Sequence, residues 1–296
     1  YSIYGRETDY DRINVASFST NTVGASVNWG YPISEIERIG LGLGFENLDL
    51  RTGSFASREI SDFVNANGDN FDVISLNLNW VKSTLNRGIF ATRGTSQRLG
   101  LDVAVPGSGL EYYKATYSFQ HLRGLTRSLT LKLRADMGYG ESYGDTSQLP
   151  FFKNFYGGGF GSVRGFKRNT LGPQDTPCNF NDPPCATAYI DDPDPIGGNV
   201  QVELGAEVIF PLPFLKDQRS VQSSLFFDAG NIFNTKCGET QVNCFKPDVG
   251  ELRYSVGVGA TWLSGFGPIT FSIAKPLNSN DFDETEVFQF SLGNQF

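Results

Sequence analysis

The sequence predicts an all-β protein, an antiparallel transmembrane β-barrel, on three observations. Apolar and polar residues alternate with period two from end to end, in runs of about ten residues, the length that crosses a bilayer when tilted. The connections between runs alternate between fairly short and mostly long, the layout of an outer-membrane barrel. All three tryptophans fall at the same end of their runs. Helical periodicity is nearly absent.

Twelve runs read as strands. After a partial IYGRE at the start come VGASVNWGY (23–31), IGLGLGF (39–45), ISLNLNW (74–80), LGLDVAV (99–105) and YKATYSF (113–119). Then follow LTLKLRADMGY (129–139), VQVELGAEVIF (200–210), SSLFFDAG (223–230), YSVGVGATW (254–262), ITFSI (269–273) and FQFSLGNQF (288–296). In the second run Val23, Ala25, Val27, Trp29 and Tyr31 share one face, opposite Gly24, Ser26, Asn28 and Gly30. A soluble sandwich also has one apolar face. Here the polar face is mostly Gly, Ser, Asn and Thr, which suits a crowded lumen better than a solvated exterior.

Residues 32–37, 83–95, 122–127, 212–220 and 263–268 are the short connections, which the barrel layout places on the periplasmic side. The opposite connections, 9–21, 46–71, 142–198, 231–252 and 276–286, are mostly long, and only 106–111 breaks that set. Trp29, Trp80 and Trp262 end strands that descend toward the short turns, and Phe296 ends the last one in the same register. Their common depth predicts an aromatic girdle at a membrane interface. No second domain is visible, so residues 1–296 read as one barrel domain. Its longest unpatterned stretch, 142–198, is unusual for a connection without a task.

Composition removes several functions. A net charge of −8 over 296 residues opposes nucleic-acid binding. Mean hydropathy is −0.25, and no apolar run is long enough for a membrane-spanning helix. The sequence opens on Tyr1 without a charged-then-apolar leader, so the expectation is a mature or cut chain. The single histidine, His121, reads as an exposed turn residue at the periplasmic rim with no paired carboxylate, so no catalytic residue is assigned. GGGFGSVRG (157–165) lacks the Lys-Ser/Thr of a phosphate loop and no helix pattern follows it. No cofactor and no metal are expected. Cys178 with Cys185, and Cys237 with Cys244, form two local pairs that read as disulfides of an oxidising compartment, with free thiols the other reading.

Parity brings two carboxylates into the lumen. Glu207 lies on the polar face of 200–210, and Asp228 on that of 223–230, in adjacent hairpin strands. Two such groups repel unless a cation joins them. An arginine fork is shaped for that bridge, and Arg164 stands in the long connection beside glycine. Pairing with Lys132 or Arg134 of the neighbouring strand is the alternative.

SVRGF (162–166) resembles the VRGF motif of the BamA family of outer-membrane protein assembly factors. WVKSTLNRGIFATRG (80–94), PGSGLEYYK (106–114), PFFKNFYGGG (150–159), FFDAGNIF (226–233) and VFQFSLGNQF (287–296) are similar to segments of that family in the same order. Secretion transporters share VRGF more loosely. The resemblance implies a loop, Val163, Arg164, Gly165 and Phe166 at its tip, that folds into the lumen, where Arg164 meets Glu207 and Asp228. It implies a lateral seam at the last strand, with Phe288, Phe290 and Phe296 on that strand and a kink at Gly293. It further implies a role in folding and inserting outer-membrane proteins in a Gram-negative outer membrane, without covalent chemistry. The partners implied are lipid and lipopolysaccharide, unfolded client proteins and the lipoproteins of the BAM complex. A passive channel or secretion pore is the alternative. The family barrel has sixteen strands behind five POTRA domains, against which this sequence would begin within the fifth strand. The expectation is that this stretch alone is inactive and either closes as a smaller barrel or pairs its edges with another chain.

Overall fold

The computed structural model describes residues 1–16, 18–52, 56–176, 193–212, 220–238, 241, 244–265 and 267–293. Twelve strands form one sheet in chain order, each antiparallel to the next. They are β1 (Ser2–Asp9), β2 (Phe18–Ser34), β3 (Glu37–Thr52), β4 (Asn70–Ser83), β5 (Gly94–Ala104) and β6 (Tyr112–Gly124). The second half comprises β7 (Thr130–Ser142), β8 (Val200–Phe210), β9 (Val221–Phe233), β10 (Arg253–Ser264), β11 (Gly267–Pro276) and β12 (Phe288–Leu292). Such a meander follows from the sequence, because every connection on one side is short enough to force neighbours together.

Alternation sorts the faces as period two requires. Val23, Val27, Trp29, Leu41, Leu78, Leu133, Leu225, Val258 and Phe271 are exposed on the outer face, the surface that lipid covers. Trp80 is half-buried, and its indole N–H donates to Glu37 Oε1 at 2.6 Å. Glu37 also pairs with Lys82 Nζ at 3.6 Å. An indole with its polar edge satisfied beside a charge pair suits the headgroup level. Trp29 and Trp262 are exposed at comparable positions on β2 and β10. Phe296 lies outside the described residues.

Three differences from the sequence reading have plain causes. The connection 46–71 contains a helix, α1 (Arg58–Asn67). Only two of its residues, Ile60 and Phe63, are buried, so a single apolar turn carried too little periodicity to stand out from a loop. His121 is not in a turn; it lies within β6, where its Nδ1 is 2.8 Å from Thr95 Oγ1 of β5. The last run is interrupted: β12 spans Phe288–Leu292, Gly293 follows with φ 89°, a left-handed conformation that breaks the extended backbone there, and residues 294–296 lie outside the described residues.

Of three buried apolar clusters, two bear on the site, while the third, Ala91, Leu122 and Ile209, lies near the short-turn end. The larger lies at the long-loop end, where Phe18, Leu48, Leu50, Phe71 and Val73 of β2–β4 meet Ile60 and Phe63 of α1 and Phe151 and Phe152 of the long connection. Phe63 packs edge-on to Phe151 and Phe152 at 5.4 and 6.0 Å. The smaller cluster, Val163, Phe166 and Leu171, belongs to the long connection itself. Cys237 and Cys244 are bridged, with 5.8 Å between their Cα atoms. Cys178 and Cys185 lie outside the described residues.

Candidate functional site

The site is the tip of the connection between β7 and β8, held against the inner wall. Its first limb is fixed by burial of Phe151 and Phe152 and by charge: Lys153 Nζ donates to Glu46 Oε1 of β3 at 3.0 Å, and Lys114 Nζ of β6 donates to the Lys153 carbonyl at 2.5 Å. Burial alone would lower the Lys153 pKa, but Tyr112 and Glu46 outweigh it and hold the ammonium above its ordinary value.

At the tip, Val163 and Phe166 are fully buried and Arg164 nearly so. Arg164 grips Asp228 with both prongs, Nε to Oδ2 at 2.6 Å and Nη2 to Oδ1 at 2.9 Å, while Nη1 donates to Glu207 Oε1 at 2.5 Å. Strand register explains the fit. Glu207 lies opposite Phe226, and Gly205 lies opposite Asp228. The two carboxylates therefore flank the Phe226 ring, and the Arg164 guanidinium stacks on it with Cζ 3.4 Å from the ring centre. Asp228 is fully buried, so without a cation its charge would be costly. The neighbouring strand contributes as well: Lys132 Nζ lies 3.0 Å from Glu207, and Arg134 Nη2 lies 3.8 Å from Asp228. The bridge and the cross-strand pairing, alternatives in the sequence, thus coexist.

Backbone and hydroxyl groups complete the seat. Arg134 donates to the carbonyls of Gly161 and Ser162, and the Ser162 hydroxyl donates to Glu203. Gly165 has φ 94°, and a Cβ there would stand 3.2 Å from Ala274 Cβ of β11, so both conformation and space require glycine. Gly230 of β9 likewise leaves room for Val163, whose Cγ2 would be 3.1 Å from an added Cβ.

Beyond the arginine the tip runs antiparallel to the segment that leads into β12. Phe166 bridges Thr285, Glu286 N–H donates to the Gly165 carbonyl, and Lys167 N–H donates to the Glu284 carbonyl, both at 2.8 Å. Lys167 Nζ also pairs with Glu284 at 2.7 Å. Gln289, buried on β12, donates from Nε2 to the Phe166 carbonyl at 2.7 Å and accepts from Gly165 N–H at 3.4 Å. Upstream, Asp283 pairs with the buried Arg253 of β10 at 2.5 Å. Phe288 and Phe290 point the other way, exposed on the outer face. Parity alone puts Gln289 inside, but its partner is a loop backbone that no periodic pattern announces.

The return limb docks on α1. Thr176 donates from N–H and hydroxyl to Glu59, both at 2.8 Å. Asp175 is buried and accepts from Asp194 N–H at 2.8 Å. Burial first, then the charges of Asp194 and Glu59, push its carboxyl up to about 7 against that hydrogen bond.

With this geometry in view, comparison with known proteins is decisive. The Omp85 superfamily domain matches residues 1–296. The chain belongs to the Omp85 superfamily. The outer membrane protein assembly factor BamA of Neisseria meningitidis serogroup B is 34% identical over the whole chain and 39% of its own length. BamA of Nitratidesulfovibrio vulgaris is 24% identical over 99% of the chain and 34% of its own length. The crystal structure of BamA from Haemophilus ducreyi lacking POTRA domains 1–3 superposes with TM-score 0.84 at 29% identity, covering 97% of this chain and 56% of that one. CdiB from Escherichia coli shares the fold, with TM-score 0.52 at 13% identity over 93% of this chain and 45% of that one. The chain thus spans 34–39% of the length of these curated BamA relatives. It is an Omp85 barrel of the Gram-negative outer membrane, a barrel as its strand length and alternation predict and in the membrane that the family resemblance implies.

Proposed function

We propose that this barrel is the part of an outer-membrane assembly machine that folds and inserts other β-barrels, using a lateral seam at β12. One observation carries the reading. The loop tip holds the approach to β12, with Phe166 bridging Thr285, Glu286 N–H donating to the Gly165 carbonyl and Gln289 Nε2 donating to the Phe166 carbonyl, so moving the tip would free that strand. An unpaired edge is a template for a further strand, and a client strand can add there by backbone hydrogen bonding with no nucleotide or cofactor. The similarity to BamA proteins supports the same role, with unfolded outer-membrane proteins as clients, lipid and lipopolysaccharide as surroundings and BAM lipoproteins as accessory partners.

In this reading the loop tip controls the seam. Arg164 fixes the tip to β8 and β9, and the tip holds residues 284–286 and Gln289 by backbone hydrogen bonds. Lys167 and Glu284 stand opposite each other in that short ladder. A disulfide made by Lys167→Cys with Glu284→Cys in the natural protein should arrest client folding in proteoliposomes, and reduction should restore it. Undiminished folding with the lock fully formed would sink the seam model. Steady porin-like conductance with no folding activity would favour a passive channel instead.

A further inference from the structure

The short-turn end of the barrel has the opposite charge character to the chain as a whole, whose net charge is −8. Between the β4–β5 and β6–β7 connections lies a cavity of about 910 Å³ lined by Arg87, Arg93 and Arg127 and, among the described residues, by no carboxylate. It continues past Ile209 and Gln222 into a lumen cavity of about 460 Å³ below the loop tip, where Arg98 adds a further cation. All four arginines are exposed. The carboxylates of that lumen cavity, Asp136, Glu207 and Asp228, are engaged by Arg134, Lys132 and Arg164. Among the described residues none of these ion pairs reaches Arg87, Arg93, Arg127 or Arg98.

The turns that carry these arginines are built rather than loose. Asn86 Oδ1 accepts from the N–H groups of Thr92 and Arg93 at 3.0 and 3.3 Å, and its Nδ2 donates to Thr92 Oγ1 at 3.0 Å. That closure holds Phe90 at φ 53°, a left-handed conformation a bulky residue adopts only when its surroundings impose it. On the other turn Thr126 Oγ1 accepts from the N–H groups of Ser128 and Leu129 at 3.2 and 3.0 Å, fixing the backbone that carries Arg127. Rigid turns that gather like charges around a cavity incur repulsion that an incoming anion relieves.

We infer that this mouth is a docking site for an acidic, extended polypeptide segment arriving from the periplasmic side. Guanidinium forks match carboxylates two prongs at a time. The cavity wall is on the lumen side: Thr130, Ile209 and Gln222 share the inward parity of Lys132, Glu207 and Asp228. A phospholipid here would hold its acyl chains away from the lipid face, whereas a chain segment brings carboxylates and backbone polar groups together. The inference stands apart from the seam, because a barrel whose last strand stayed sealed would keep the same mouth.

The test uses the natural protein in phosphatidylcholine nanodiscs and a short fluorescent peptide of alternating glutamate and small apolar residues. Its control carries glutamine in place of glutamate. The glutamate peptide should bind roughly tenfold tighter, as charge-assisted hydrogen bonds require, with the advantage shrinking as salt is raised. Combined Arg87→Gln, Arg93→Gln and Arg127→Gln should abolish the preference. Single Arg127→Lys, which spares folding and keeps the charge but not the fork, should reduce it in part. Equal binding of the two peptides, or a preference that survives the triple substitution, overturns the proposal. So does loss of glutamate-peptide binding when phosphatidylglycerol replaces part of the phosphatidylcholine, which would make this a lipid headgroup site.

Discussion

The long connection is anchored at two places by opposite physics. Its first limb sinks Phe151 and Phe152 into a cluster with Phe18, Phe63 and Phe71, an attachment with no preferred direction and a large apolar area. Its tip is held by directional polar contacts centred on one guanidinium between Glu207 and Asp228, where geometry decides the fit. The contrast teaches how one loop can be held by two kinds of contact. Apolar packing tolerates small shifts of the limb, while a buried bidentate pair is either engaged or broken.

Removing either anchor should cost a similar amount but leave different signatures. Phe63→Ala should destabilise by about 3–5 kcal/mol through a cavity under α1. Arg164→Ala should also cost about 3–5 kcal/mol, because it leaves the buried Asp228 without its two-pronged partner. The distinction lies in rescue. Adding Asp228→Asn should recover part of the Arg164→Ala loss and none of the Phe63→Ala loss, read as urea midpoints in lipid vesicles. Additivity of Arg164→Ala with Asp228→Asn would show that the tip is not a shared network.

A smaller effect tests the tip's backbone. Gly165→Ala forces a side chain into φ 94° and against Ala274, and should cost about 1–2 kcal/mol. Its expected mark is faster proteolysis of the 157–176 stretch with the Phe63 cluster intact. Protection equal to the parent would mean the left-handed turn is not needed.

The smallest effect is pH-dependent and belongs to the return limb. The folded Asp175 carboxyl titrates near 7, above its ordinary range, so the folded state binds the proton more tightly. Its contribution to stability is complete below about pH 4 and is lost progressively as pH rises to about 7. Asp175→Asn should flatten that dependence, measured as hydrogen exchange of the Thr176 and Asp194 amides corrected for intrinsic rates. An unchanged profile would assign the titration elsewhere.

Much of the site was legible in residues. Parity put Glu207 and Asp228 in the lumen, and cation chemistry made Arg164 one of two answers for them. What parity could not supply was Phe226 as the platform between the carboxylates, since only strand register makes it face Glu207. Gln289 was readable as inward but not as the partner of Gly165 and Phe166. The α1 helix was hidden because two buried residues do not make a period.

The sequence by itself therefore determined the strands and their faces, because period-two alternation and connection length act locally along the chain. Only the tertiary structure decided which groups meet: the Arg164 fork over Phe226, the loop tip against residues 284–286, and the three arginines at the mouth. Those contacts join residues far apart in the chain, and they depend on register and on a loop that crosses the lumen. No local pattern encodes either.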